Sequence, residues 1–232
     1  MPKLIKFHAN DEYTMQVKEK PVPASSLIPK WFKNMPMYST SNNKFDINPY
    51  ATVTSKQCAP LLDTFCSGYI VKLWSDLLVS RTEDSLTVRW LVDEKVVDNW
   101  HHTQSSMYEV PDEFDSVVFK YYHGWSIETP PGYSCLITHP FAYQNLPIRT
   151  LTGIIDSDIL KLNANSPFVI KKNFEGIIKK GTPMFQIIPF KREAWDSEYD
   201  VSSQDEKYFD IQKFKTKIVS SYASARHKKI FK

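Results

Sequence analysis

The chain has 232 residues, 42% of them hydrophobic and 14% aromatic, with a net charge of +3. That composition excludes an intrinsically disordered chain, and so small a charge excludes a nucleic-acid reading from composition alone. The length suits one buried core with extensions, and fifteen prolines against six glycines favour short strands joined by irregular loops, since proline is expelled from helix interiors and central strands.

In chain order, residues 3–8 read as a short strand, and Met15–Val17 continue the pattern into an N-terminal hairpin. Ser25 or Ser26 caps a short helix through Lys33, with Leu27, Ile28, Trp31 and Phe32 at helical spacing and Pro29 in its first turn. The Trp31-Phe32 pair reads as a packing anchor. Ser39–Tyr50 is polar and asparagine-rich, a loop leading into a main domain that begins near Thr52. Cys58–Phe65 forms one or two helical turns. Strands then follow at Tyr69–Leu73, Leu77–Arg81, Leu86–Leu91, Val117–Tyr121, Tyr133–Thr138, Gly153–Asp156, Phe168–Lys171 and Met184–Phe190, punctuated by turn residues. Between Asp93 and Asp115 the pattern weakens, which reads as an insertion at the rim of the sheet. After Glu193, the residues Tyr208, Ile211, Phe214, Ile218 and Tyr222 recur at three and four, the stripe of an amphipathic helix.

Three cysteines, Cys58, Cys66 and Cys135, form no C-x-x-C pair, and an odd number is a poor disulfide framework, so a reducing compartment is expected. The N-terminus has no apolar run of signal-peptide length and the chain has no run of 18 apolar residues. The expectation is a soluble protein, not secreted by that route and not membrane-spanning. The segment Gln204–Lys232 holds eight Lys/Arg and three Asp/Glu, a basic tail that could meet RNA, DNA or an acidic partner, with a solvated helix as the preferred reading.

Four glycine-anchored segments resemble the dUTPase and dCTP deaminase family. Ser67-Gly68-Tyr69-Ile70-Val71 is similar to its Gly-Tyr-Asp-Leu turn, with Ile70 where the acidic residue belongs. Pro131-Gly132-Tyr133 reproduces the turn before its Pro-Arg-Ser-Gly signature, but His139-Pro140-Phe141-Ala142 supplies neither the Arg nor the Ser. Gly153-Ile154-Ile155-Asp156-Ser157-Asp158 resembles Gly-Val-Val-Asp-x-Asp-Tyr, with Ile159 in place of the Tyr. Gly181-Thr182-Pro183-Met184-Phe185-Gln186-Ile187 keeps the Gly and Gln of the last signature without its Arg. The resemblance implies a dUTPase-like β-clip, a distorted barrel of short strands, assembled as a homotrimer. It makes Asp156 the candidate catalytic carboxylate, with Gly68, Tyr69, Gly153, Asp158 and Gln186 as candidate ligand-binding residues. Magnesium would serve an enzyme of this kind as cofactor.

The whole chain also resembles a group of tailed-phage proteins that share Thr129-Pro-Pro-Gly-Tyr-Ser-Cys135, His139-Pro140 and the run from Gly181 to Glu193. This implies a phage origin, inside the infected bacterial cytoplasm or on the virion.

Other constellations favour the plainer reading. His101-His102, His123 and His139 complete no metal-ligand spacing and are taken as surface or packing residues. Ser134-Cys135 near His139 suggests a nucleophile and base, but Cys135 and His139 would lie about 13 Å apart along a strand, so Cys135 reads as a buried hydrophobe. Lys171-Lys172, Lys179-Lys180 and Lys191-Arg192, with Tyr121-Tyr122 and Trp125 elsewhere on the domain, could bind single-stranded nucleic acid, yet strand-edge lysines more often prevent aggregation.

The expected organisation is an N-terminal extension of hairpin and helix over 1–51, a dUTPase-like β domain over 52–193 and a basic amphipathic helix over 194–232 that offers a face to a protein partner. The expected function is a non-catalytic or divergent dUTPase-fold scaffold for binding or assembly. The alternative is a nucleotide pyrophosphohydrolase in which Lys161, Arg149 or tail cations replace the missing Arg.

Overall fold

A computed structural model describes residues 3–38, 54–83, 85–161, 165–201 and 230–232. The protein is mainly β, as its composition leads one to expect. Its strands are β1 (Lys6–Ala9), β2 (Val22–Pro23), β3 (Tyr69–Lys72), β4 (Leu77–Arg81), β5 (Leu86–Arg89), β6 (Val97–Asn99), β7 (Phe119–Tyr121), β8 (Trp125–Glu128), β9 (Tyr133–Thr138), β10 (Ile148–Thr150), β11 (Gly153–Ile155), β12 (Ser166–Ile170), β13 (Gly176–Ile178) and β14 (Pro183–Lys191). The helices are α1 (Glu12–Val17), α2 (Lys30–Asn34), α3 (Ala59–Cys66) and α4 (His102–Ser105). Among the described residues the strands form four antiparallel sheets, in the orders β1-β8, β10-β12-β7-β6, β11-β9-β14-β3-β2 and β13-β4-β5.

The residues singled out by the resemblance lie on or beside the strands of the five-stranded sheet. Its centre is β14, nine residues long, which pairs with β9 from Gln186↔Thr138 to Lys191↔Tyr133 and with β3 from Pro183↔Lys72 to Ile187↔Tyr69. Residues 183–187 are buried, as befits a strand covered on both faces, whereas Ile188 to Lys191 grow progressively more exposed. Gly68 makes the β3–β14 approach possible. Its φ is +71°, and a Cβ there would sit 1.8 Å from the Ile187 carbonyl oxygen.

The main core lies between the sheets and includes Leu73, Leu77, Val79, Phe168, Ile170 and Phe185. Tyr121 crosses it: its phenol donates to Lys72 O at 2.7 Å and accepts from Trp74 N at 3.1 Å, and burial pushes its pKa well above the usual tyrosine value. A satellite cluster joins Phe32, Phe65 and Ala142, with Trp31, Phe32 and Phe65 in mutual edge-to-face contact. Phe32 is thus a packing anchor as expected, whereas Trp31 stays half exposed against the rings of Phe32 and Phe65.

Three expectations at the N-terminus and the tail need correction. Met15–Val17 lie in α1, not in a hairpin strand, because the Asp11 carboxylate accepts from Thr14 N at 2.6 Å and caps a helix there. β1 instead pairs with the distant β8. The helix expected over 25–33 is split into a 3-10 turn at Ala24–Leu27 and α2, since Ile28 before Pro29 takes an extended conformation. Residues 194–201 are exposed and neither helical nor extended in a sheet, so no helix begins at 194. The apolar stripe from Tyr208 to Tyr222 and the loop Ser39–Tyr50 lie outside the described residues. The 93–115 stretch contributes β6, the edge strand beside β7, and the short α4.

Candidate functional site

Two predicted residues converge, Asp156 and Asp158, and they do so around a cation that sequence reading did not assign to them. Beyond β11 the chain turns at Asp156, whose carbonyl accepts from Ile159 N (2.9 Å) and Leu160 N (2.8 Å). β14 and β9 run together to the pair Lys191↔Tyr133, so the next residue, Arg192, emerges beside the Pro130-Pro131-Gly132 turn, where its N–H donates to Gly132 O at 2.9 Å. Its guanidinium holds Asp158 in a two-pronged grip, Nη1 to Oδ1 at 2.8 Å and Nη2 to Oδ2 at 2.6 Å. Nη1 also lies 3.2 Å from Asp156 Oδ1 and donates to Ser134 Oγ at 3.0 Å, while the Ser134 hydroxyl donates to Asp156 Oδ1 at 2.6 Å. Gly132 N donates to Asp158 Oδ2 at 2.8 Å.

The two carboxylates differ in setting. The Asp158 side chain is 8% exposed and that of Asp156 52%. The Arg192 guanidinium beside Asp158, helped by the Gly132 N–H and opposed by burial, lowers its pKa to about 2. Between them Ser157 is fully buried; its hydroxyl meets Thr129 Oγ1 at 2.8 Å and Cys135 Sγ at 3.3 Å. The Asp-Ser-Asp run therefore ties the 129–133 turn, β9 and the end of β14 together.

The other predicted residues lie apart from this cluster. Gln186 faces Thr138, four residues along β9 from Ser134, or about 13 Å away. It is 1% exposed: Nε2 donates to Thr64 O (3.2 Å) and Ser67 O (2.5 Å), and Oε1 accepts from Phe141 N (3.2 Å). Gly68 approaches the backbone of β14. Tyr69 is buried and its phenol donates to Lys232 O at 3.0 Å, with the Phe231 ring edge-on to it. Gly153 sits on the edge strand β11, three strand spacings from Gly68 across the sheet, roughly 14 Å. No single cleft gathers the set.

Of the cations proposed as replacements for the missing Arg, Lys161 pairs with Glu128 at 3.6 Å and Arg149 lies on β10 in another sheet. The cation that stands beside Asp156 and Asp158 is Arg192. Only its position just past a predicted strand could have marked it. The magnesium ion that the resemblance implies needs carboxylate oxygens free to coordinate. Ile70 offers no oxygen, both oxygens of Asp158 are held by Arg192 and Gly132 N, and Asp156 keeps only Oδ2 outside the cluster, too few carboxylate oxygens to fit the ion.

The remaining candidates follow the plainer reading. Burial pushes the Cys135 thiol up, away from nucleophilic character. His139 Nδ1 accepts from Thr150 N at 3.3 Å, leaving Nε2–H to donate to Tyr143 O at 3.0 Å. Burial lowers its pKa, opposed by the Tyr143 carbonyl and reinforced by Arg149 and Lys171, so the ring is neutral. Among the described residues no group of three or more His, Cys, Asp or Glu is placed to hold a metal ion. No helix of the described residues is long and apolar enough to cross a membrane.

No family model and no curated protein matches the chain. Among solved structures, it is similar to the dUTPase from phage phi11 of S. aureus at 10% identity, over 87% of this chain and 98% of that one, with a TM-score of 0.37. A mutant of the same phage enzyme, described for its coordination of a structural Mg(II) ion, aligns at 12% identity over 87% and 99%, with a TM-score of 0.34. Both scores are too low for either superposition to carry an argument.

Proposed function

We infer that this is a phage-encoded protein of dUTPase-like β-clip type, its β domain spanning 52–193, that has lost nucleotide hydrolysis and serves as a binding or assembly scaffold. The observation that carries this reading is the engagement of Arg192 by both oxygens of Asp158 and by Asp156 Oδ1, which leaves the cluster no unmatched cation for a phosphate. A phosphate grip needs cations not already matched by the protein's own anions. Here the nearest guanidinium is spent on the very carboxylates that would do the chemistry. A homotrimer, and a protein partner for the basic tail, complete the proposal.

The test is hydrolysis of deoxyribonucleoside and ribonucleoside triphosphates, with and without magnesium, by the wild type and by Asp156→Asn. The expected result is no turnover in either protein. Turnover by the wild type that vanishes in a folded Asp156→Asn protein would overturn the scaffold reading in favour of a pyrophosphohydrolase.

A further inference from the structure

A polar cavity of about 470 Å³ opens on the four-stranded sheet, away from the Asp156–Arg192 cluster. Three backbone runs build it side by side. Lys171 N donates to Pro147 O at 2.8 Å, Lys172 N to Glu113 O at 3.0 Å, and Asp115 N to Ile170 O at 2.8 Å, with Phe114 and Lys171 in an antiparallel bridge. The end of β12 is thereby held between β10 and the 111–115 segment, and Arg149, Lys171 and Lys172 come to line one opening. Its floor is fixed by buried Ile148, Phe114 and His139.

The lining carries three cations against two carboxylates, a net positive charge. Among the described residues none of the three cations forms an ion pair, although Asp112 and Glu113 stand at the same rim. Arg149 lies 6.0 Å from the centre of the Phe114 ring, which holds the guanidinium against an apolar wall. Isolated surface lysines need no counter-ion, but three cations round a concave wall concentrate their field. The pKa of His139 is lowered chiefly by burial, and Arg149 and Lys171 add to that lowering. Asn173 adds an amide donor. The volume falls in the range of about 300–1,000 Å³ typical of small-molecule sites.

We propose that this cavity binds the phosphoryl group of a small phosphorylated ligand, gripped by Arg149, Lys171 and Lys172 with Asn173 as a further donor. A phosphoryl group brings negative charge to cations that form no ion pair, together with several acceptor oxygens, and a planar guanidinium can meet two of them at once. The site is independent of the proposed loss of hydrolysis, because it shares no residue with the Asp156 cluster.

The probe is inorganic pyrophosphate, titrated calorimetrically into the full-length protein, into Arg149→Gln/Lys172→Gln and into Asp156→Asn. Arg149 and Lys172 are exposed, so the double variant should keep the wild-type thermal midpoint; Lys171→Gln replaces it if it does not. The expected result is one saturable site per chain, weakened about tenfold or more in the cavity variant and unchanged in Asp156→Asn. No binding, or equal binding by wild type and cavity variant, overturns the proposal. Affinity that changes in Asp156→Asn but not in the cavity variant would place the anion at the Asp156–Arg192 cluster, and would count against the scaffold reading as well. A nucleoside diphosphate and a short single-stranded oligonucleotide are titrated in parallel. Far tighter oligonucleotide binding, lost in the same cavity variant, would make the surface a nucleic-acid site and sink the small-ligand assignment.

Discussion

Replacing Gln186 by leucine distinguishes a ligand-binding glutamine from a structural one. The side chain joins three parts of the molecule: it caps the Thr64 and Ser67 carbonyls at the end of α3, accepts from Phe141 N, and sits on the central strand β14. Leucine fills much of the volume but leaves two carbonyls and one N–H without this partner in a site that is 1% exposed. At about 1 kcal/mol net for each bond the loss is roughly 3 kcal/mol, because two of the bonds are long at 3.2 Å and the 2.5 Å bond to Ser67 exceeds the average. That corresponds to a midpoint lowered by about 6–12 °C in a protein of this size. Urea denaturation should show a lower midpoint concentration at unchanged slope. Gln186→Glu sharpens the test. A carboxylate against two carbonyls has its folded-state pKa raised, so its relative stability is greatest below the ordinary carboxylate pKa and is lost as pH rises through the raised value. A Leu variant within about 0.5 kcal/mol of wild type, or a Glu variant with no such pH dependence, would refute the assignment of Gln186 to packing.

Gly68→Ala should be costly and Gly132→Ala mild. Both have positive φ, but the added Cβ meets the Ile187 carbonyl in the first case and open space in the second, so denaturation should separate them by at least about 2 kcal/mol. Asp158 has a pKa depressed from the ordinary 3.8 to about 2, so its stabilising contribution is present above the unfolded value and disappears as pH falls toward 2. Asp158→Asn should flatten the acid limb of the stability profile between about pH 4 and 2, and carbon-detected NMR of Arg192→Lys should show Asp158 titrating closer to its ordinary value. An unmoved titration would mean that Arg192 is not what holds the carboxylate. Tyr121→Phe removes the phenol that bridges Lys72 O and Trp74 N and should cost about 1–3 kcal/mol by chemical denaturation, with a cost near zero counting against that bridge.

Strands that alternate or run apolar between strong turn residues were legible in the chain: Leu77–Arg81 and Tyr133–Thr138 lie where their side-chain pattern and flanking turns put them. β8 and β13 escaped notice because Trp125-Ser-Ile-Glu and Gly176-Ile-Ile are short and owe their strand state to partners far away, β1 and β4. Local competition misled in the other direction. One carboxylate, Asp11, turned an apparent strand at 15–17 into a helix, and one proline split the helix expected at 25–33.

The same division holds for the site. The sequence by itself determined the class of fold, through its prolines, aromatics and turn glycines, and its Gly153–Asp158 run marked Asp156 and Asp158 through their resemblance to a family signature. Only the tertiary structure decided what those carboxylates face. Arg192 is 34 residues beyond Asp158, and it reaches the carboxylate because β14 pairs with β9 in a register that ends at Lys191↔Tyr133. A shift by one residue would turn that guanidinium to the other face of the strand. Register and sheet order are properties of the packed core. The same pairing of distant backbone runs gathers Arg149, Lys171 and Lys172 around one cavity, although no motif in the chain connects them.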